Sequence, residues 1–169
     1  NTVYIISYCI YHHVQLFSSV VMLAHLSISN FAVVKQLSVQ LENGLTAITG
    51  ETGAGKSIAI DALSLCLGER ADANAVRKGS AKAEIIAHFS LNGNVLAKAF
   101  LDEHELTSDE DENSCFIRRV ISKEGRSKAF INGIPASLQQ LKGLGQFLLA
   151  IHGQNTHLQL LKEDHQREL

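Results

Sequence analysis

Gly50-Glu51-Thr52-Gly53-Ala54-Gly55-Lys56-Ser57 fits the phosphate-binding loop pattern GxxxxGK[ST] at every fixed position. An apolar, β-prone run from Leu45 to Thr49 leads into it, and a helical run from Ser57 to Leu67 follows. Strand, loop and helix in that order are the context the motif requires. The stretch therefore predicts an α/β chain of the P-loop NTPase class, with the loop at its functional centre.

The residue types follow from the chemistry. Gly50, Gly53 and Gly55 permit backbone angles and close approaches that a Cβ would block, so successive N–H groups of the loop, those of Glu51, Thr52 and Ala54 included, can turn inward around a polyphosphate. The anion then sits at a helix N-terminus. Lys56 is expected to reach the β- and γ-phosphates of ATP, and the Ser57 hydroxyl to be one ligand of the accompanying Mg2+. A glycine-rich turn without a ligand is the plain alternative. The complete set of fixed positions and both flanks favour phosphate binding.

The 169 residues are 46% apolar and 19% charged, ordinary for one soluble globular domain. The formal net charge of −2, from 15 basic and 17 acidic residues, gives no bulk support for nucleic-acid binding, so any such contact must be a local patch. Cys9, Cys66 and Cys115 lack metal or redox spacing and fit free thiols in a reducing compartment. The eight histidines form no ligand constellation; His12-His13 and the His152/His157 pair lack the partners of a zinc motif.

Outward from the loop, the N-terminal stretch 1–21 contains no Lys, Arg, Asp or Glu and precedes the single methionine, Met22. A membrane span, a secretory signal and upstream translated sequence are its three possible origins. His12, His13 and Gln15 interrupt the first and no charged flank supports either of the first two, so the third is favoured. From Met22 the pattern is regular. Leu26 and Ile28, then Leu37, Val39 and Leu41, alternate with polar residues as two half-buried strands, and Glu42-Asn43-Gly44 turns into a third. The helix after the loop shows little polar face, which predicts burial on more than one side, with Gly68 as its C-cap. Ala83 to Leu91 alternates as a further strand, possible in an antiparallel layer, and strands on both sides of the core helix predict a mixed sheet.

Val95 to Leu106 has helical spacing, which places Asp102 and Glu103 on a solvated helix rather than at the end of a buried Walker B strand. The run Asp109-Glu110-Asp111-Glu112 reads as a solvated loop. Cys115–Ser122 and Ser127–Asn132 read as a hairpin that gathers Arg118, Arg119, Lys123, Arg126 and Lys128. Such a ribbon can touch phosphates, although strands commonly carry charge on a wet face and no aromatic interleaving suggests base stacking. A further helix is expected from Pro135 and Ser137 through Leu149. Its segment Leu141 to Gln146 only faintly echoes an ATP-binding-cassette signature and is discarded as one.

Leu26-Ser27-Ile28-Ser29-Asn30-Phe31, the loop Gly50 to Ser57, Ile60-Asp61-Ala62-Leu63, Phe130-Ile131-Asn132-Gly133 and Ile151-His152-Gly153-Gln154 occur together and in order. From Met22 to Leu169 the sequence thereby resembles the N-terminal part of the RecN family of bacterial DNA repair proteins, relatives of the SMC chromosome ATPases. The resemblance implies the N-terminal lobe of an SMC-like ATP-binding-cassette head over residues 22–160, with 161–169 the root of a first coiled-coil strand. It implies that Gln154 is the Q-loop residue, a Mg2+ ligand that links the attacking water to head movement. Arg77, in Val76-Arg77-Lys78-Gly79, matches the SMC loop arginine, and Asn30 lies where a strand-end loop nears the nucleotide; a surface charge and a buried cap are the plainer roles.

No signature motif, Walker B strand or long heptad array accompanies these motifs. In the family they belong to the C-terminal half, which the chain's own head would need, together with a second head in a homodimer. The implied function is recombinational DNA double-strand-break repair in the cytoplasm, at the nucleoid, with DNA bound through the full-length protein and no membrane partner. A transporter cassette and a small P-loop kinase are the alternatives that share the loop.

Overall fold

The computed structural model describes residues 3–5, 22–41, 46–48 and 54–148. Most of the stretch 1–21, loop residues Gly50–Gly53, Gln154 and the expected coiled-coil root 161–169 lie outside the described residues. The elements run β1 (Val3–Ile5), β2 (Met22–Phe31), β3 (Val34–Gln40), β4 (Thr46–Ile48), α1 (Ala54–Cys66), a 3-10 turn (Ala73–Ala75), β5 (Lys82–Ser90), α2 (Val95–Glu103), β6 (Ser114–Ser122), β7 (Ser127–Ile131), β8 (Ile134–Ala136) and α3 (Leu138–Leu148).

Six strands form one sheet in the order β3-β2-β5-β6-β7-β8, and β1 pairs with β4 in a second, two-stranded sheet. Every pairing is antiparallel. The parallel component of the expected mixed sheet is therefore absent among the described residues. Short hairpin connections explain this for β2–β3, β6–β7 and β7–β8, because strands joined by a few residues can only return antiparallel.

One face of the large sheet makes the core. Ala83, Ile85, Ala87 and Phe89 of β5 alternate inward, as do Cys115, Ile117, Arg119 and Ile121 of β6. On β2 the inward residues are Leu23, Leu26 and Ile28, and the odd spacing is absorbed by a register shift between Leu23 and His25. Helix α1 packs on β2, β5 and β6. It buries Ile58, Ala59, Ala62, Leu63, Leu65 and Cys66, the multi-sided burial its sequence predicts.

Local chemistry fixes the ends of the helices. Gly68 takes φ 97°, its N–H reaches the Leu65 carbonyl at 3.3 Å, and the Glu69 N–H reaches that of Ser64 at 3.1 Å, a Schellman closure of α1. A Cβ at Gly68 would lie 2.8 Å from the Lys142 backbone nitrogen, so this turn also lets α3 approach closely. The buried Asn94 side chain caps α2 by accepting from the Ala97 N–H at 2.9 Å and donates to the Phe147 carbonyl at 2.7 Å, joining α2 to α3. Ser137 and Gln140 cap α3 reciprocally. Within α3, Gly143 lies so close to the Phe100 ring that a Cβ would come within 2.8 Å of it; the discarded signature-like segment serves helix packing.

Asn132-Gly133 closes β7 onto β8 with φ values of 49° and 82°, a type I′ hairpin that the expected helix start at Pro135 overlooked.

Candidate phosphate-binding site

The described part of the loop motif is its C-terminal half. Ala54 to Ser57 form the first turn of α1, and β4 ends at Ile48, so a strand precedes the motif and a helix begins within it. The N–H groups of a first helical turn have no intrahelical acceptors and carry the positive end of the helix dipole. No acidic residue stands in this turn to compete for them. Ser57 is exposed, while Ile58 and Ala59 just behind it are buried and anchor the helix end. This donor set fits an anion, and the Ser57 hydroxyl fits an oxygen-ligated divalent cation.

Asn30 and Arg77 are brought together, 47 positions apart in sequence, by a bridge between Phe31 and Val76. The Arg77 N–H donates to the Asn30 carbonyl at 2.8 Å, and the Ala32 N–H donates to the Ala75 carbonyl at 2.7 Å. Asn30 and Ala32 take φ values of 51° and 50°, left-handed conformations that turn the chain out of β2 and present those groups to the incoming segment. Both Asn30 and Arg77 are half-buried. Nothing in the local sequence pattern announces this pairing, because it depends on the 3-10 turn Ala73–Ala75, which Asp72 caps through the Asn74 N–H at 2.8 Å.

The structure divides the basic hairpin. Arg118 and Lys128 are exposed, as are Lys123 and Arg126 at the turn, whereas Arg119 is fully buried with 0% exposure. Arg119 cannot join a surface patch. Its Nη2 donates to Ser127 Oγ at 2.8 Å, and its Nε and Nη1 have no acceptor among the described residues. Burial lowers its pKa and the neighbouring Cys66 opposes that shift. Burial in turn pushes the Cys66 thiol up to about 12, against the pull of Arg119, and the Cys115 thiol also to about 12. Both thiols stay protonated near neutral pH, so neither is activated as a nucleophile there.

Asp102 and Glu103 are exposed at the end of α2 and not on a strand, as their spacing predicts. Among the described residues no group of three or more His, Cys, Asp or Glu could hold a metal ion, and no helix is long and apolar enough to cross a membrane.

An antiparallel sheet backed by a helix that begins within a phosphate-loop sequence is an α/β fold of the P-loop class. The chain belongs to the AAA domain family, whose model matches residues 25–168. Among curated relatives it is similar to DNA repair protein RecN of Vibrio cholerae serotype O1, 58% identical over 145 residues, covering 86% of this chain and 26% of that protein. It is likewise similar to DNA repair protein RecN of Haemophilus influenzae, 50% identical, covering 88% of this chain and 26% of that protein. The chain thus spans about a quarter of the length of these relatives. Its fold matches the Smc head domain with an extended coiled coil, bound to the C-terminal domain of ScpA, from Pyrococcus furiosus. That match has a TM-score of 0.62 at 21% identity and covers 84% of this chain and 38% of that one.

Proposed function

We propose that the chain is the ATP-binding half of a RecN-type ATPase head that acts in recombinational repair of DNA double-strand breaks. The observation that carries this reading is the GxxxxGK[ST] sequence running into the first turn of α1 with no acidic residue in that turn. The likeness to DNA repair protein RecN over 86% of the chain supports the repair assignment. In this reading residues 22–160 form the half-head and 161–169 the start of a coiled-coil strand. The protein works in the cytoplasm at the nucleoid.

Lys56 and the loop N–H groups would hold the ATP phosphates, and Ser57 and Gln154 would hold Mg2+, which would neutralise charge on the phosphates during transfer. Asn30 and Arg77 would border the nucleotide from the strand-end bridge. Gln154 would couple the attacking water to head movement. Groups that position water and stabilise transition-state charge would come from the C-terminal half and from a second head, so closure of two heads on ATP and reopening on hydrolysis would regulate DNA engagement. The half-head alone is then a nucleotide binder with little turnover.

The test is binding of a fluorescent ATP analogue to the chain, with and without Mg2+. Lys56→Ala should weaken binding about 10- to 100-fold, the loss of a charge-assisted contact. Equal affinity in the variant, or brisk turnover by the chain alone that Lys56→Ala abolishes, would overturn the half-head reading.

A further inference from the structure

The sheet face turned away from α1 carries a constellation that linear sequence conceals. Cross-strand register sets Phe116 opposite His88 and Arg118 opposite Phe130. The His88 and Phe116 rings stack with centroids 4.1 Å apart and planes within 4°. The Arg118 guanidinium carbon lies 5.3 Å from the Phe130 ring centroid. Phe116 is 44% exposed, a large aromatic presented to solvent near the start of β6. Flat surfaces and cations thus alternate on adjacent strands, the interleaving that reading along one strand fails to reveal.

Charge on the strands is one-sided. Although the chain carries 17 acidic and 15 basic residues, Glu84 is the one carboxylate on any described strand. Glu84 is held by Arg118 through Nη2 at 2.6 Å and Nε at 2.7 Å. Lys82, on the same face of β5, and Lys128, opposite Val120 on β7, are exposed. The acidic loop is displaced to the other end of β6, where Asp111 accepts from Ser114 Oγ at 2.6 Å. The face is therefore cationic toward the β6–β7 turn and aromatic toward the loop.

A ligand that satisfies both halves is a polyanion with exposed planar groups. Bases stack on aromatic rings and on guanidinium planes, and phosphates take the lysines. A duplex keeps its base faces inside its own stack, and an acidic peptide supplies charge without the planar groups. We infer that the outer face of β5, β6 and β7 binds single-stranded nucleic acid, with a base stacked on Phe116 and phosphates at Lys82 and Lys128. This inference gives the DNA contact of the proposed repair function a location, and it stands apart from the phosphate loop.

The experiment measures anisotropy of a labelled oligothymidylate titrated with the whole chain, at two salt concentrations. Phe116→Ala should weaken binding about 5- to 150-fold, the loss of one base-stacking contact, while Phe116→Trp retains it. Lys82→Glu with Lys128→Glu should weaken binding and flatten its salt dependence. Because Phe116 is at the surface, the variants keep the thermal midpoint of the unaltered chain within a few degrees, and they bind the fluorescent ATP analogue unchanged. Failure of that ATP control in the unaltered chain would count against the half-head reading and leave this inference standing. Affinity for oligothymidylate that is absent in the unaltered chain, unchanged in Phe116→Ala, or exceeded by a duplex of equal length with no dependence on Phe116, would overturn the inference. Tighter binding to an acidic peptide than to oligothymidylate would overturn it as well.

Discussion

The two faces of the central sheet are built from the same strands and differ in what a polar side chain costs. On the inner face Ile85, Ala87 and Phe89 of β5 meet Ile117 and Cys115 of β6, and Arg119 lies among them without solvent. On the outer face the neighbours of those residues are Glu84, His88, Phe116 and Arg118, which find one another and water. Two consecutive arginines, Arg118 and Arg119, therefore live under opposite conditions. One makes an ion pair at the surface, and the other keeps two donors unsatisfied among the described residues. A strand's alternation assigns neighbours to opposite faces, and burial decides whether the charge is an asset or a cost.

The contrast can be broken most severely from the inner face. Phe89→Ala should lower unfolding free energy by about 3–5 kcal/mol, since the lost contacts and the residual cavity both weigh on a fully buried ring. Urea denaturation measures this, and a loss below about 1 kcal/mol would mean that the inner face is not a close-packed core. Arg119→Met should leave stability unchanged or raise it by about 2 kcal/mol, because an apolar side chain of similar length removes buried unsatisfied donors. A marked loss in the same assay would show that the guanidinium has a partner beyond the described residues. Arg118→Ala should have the smallest effect, within about 1 kcal/mol, as expected of an exposed ion pair even with a ring beneath it.

Acid titration sharpens the outer half of the comparison. Burial and the nearby His25 lower the His88 pKa, with Asp111 opposing. A group whose folded pKa is depressed supports the fold above its unfolded pKa and withdraws that support as pH falls through the folded value. Stability should therefore decline on the acid side of about 6.5, the unfolded histidine value, and His88→Gln should remove that part of the decline. An unchanged acid limb in thermal melts of the variant would assign the decline to other groups.

Much of the fold was legible because its signals are local. Alternation at Ala83–Leu91 and along the hairpin, the 3.6-residue period at Val95, and Gly68 as a helix stop each correspond to an element of the structure. β8, at three residues, is too short to show a period, although Asn132-Gly133 carries the turn chemistry for it. The candidate site was legible only in part. The phosphate-loop sequence is a contiguous motif, and its helix begins at Ala54, within that motif. The joining of Asn30 to Arg77 depends on left-handed residues and a 3-10 turn that no periodic pattern encodes.

The sequence by itself determined the strand–loop–helix unit, the positions of most strands and helices, and the family, because backbone preference and side-chain alternation act over a few residues. Only the tertiary structure decided that the large sheet is antiparallel throughout its described strands, that Arg119 is buried while Arg118 is not, and that Phe116, His88, Arg118 and Phe130 share a face. These depend on strand order and register, which are set by how distant segments bury their apolar faces together, and a single strand carries no record of its neighbour.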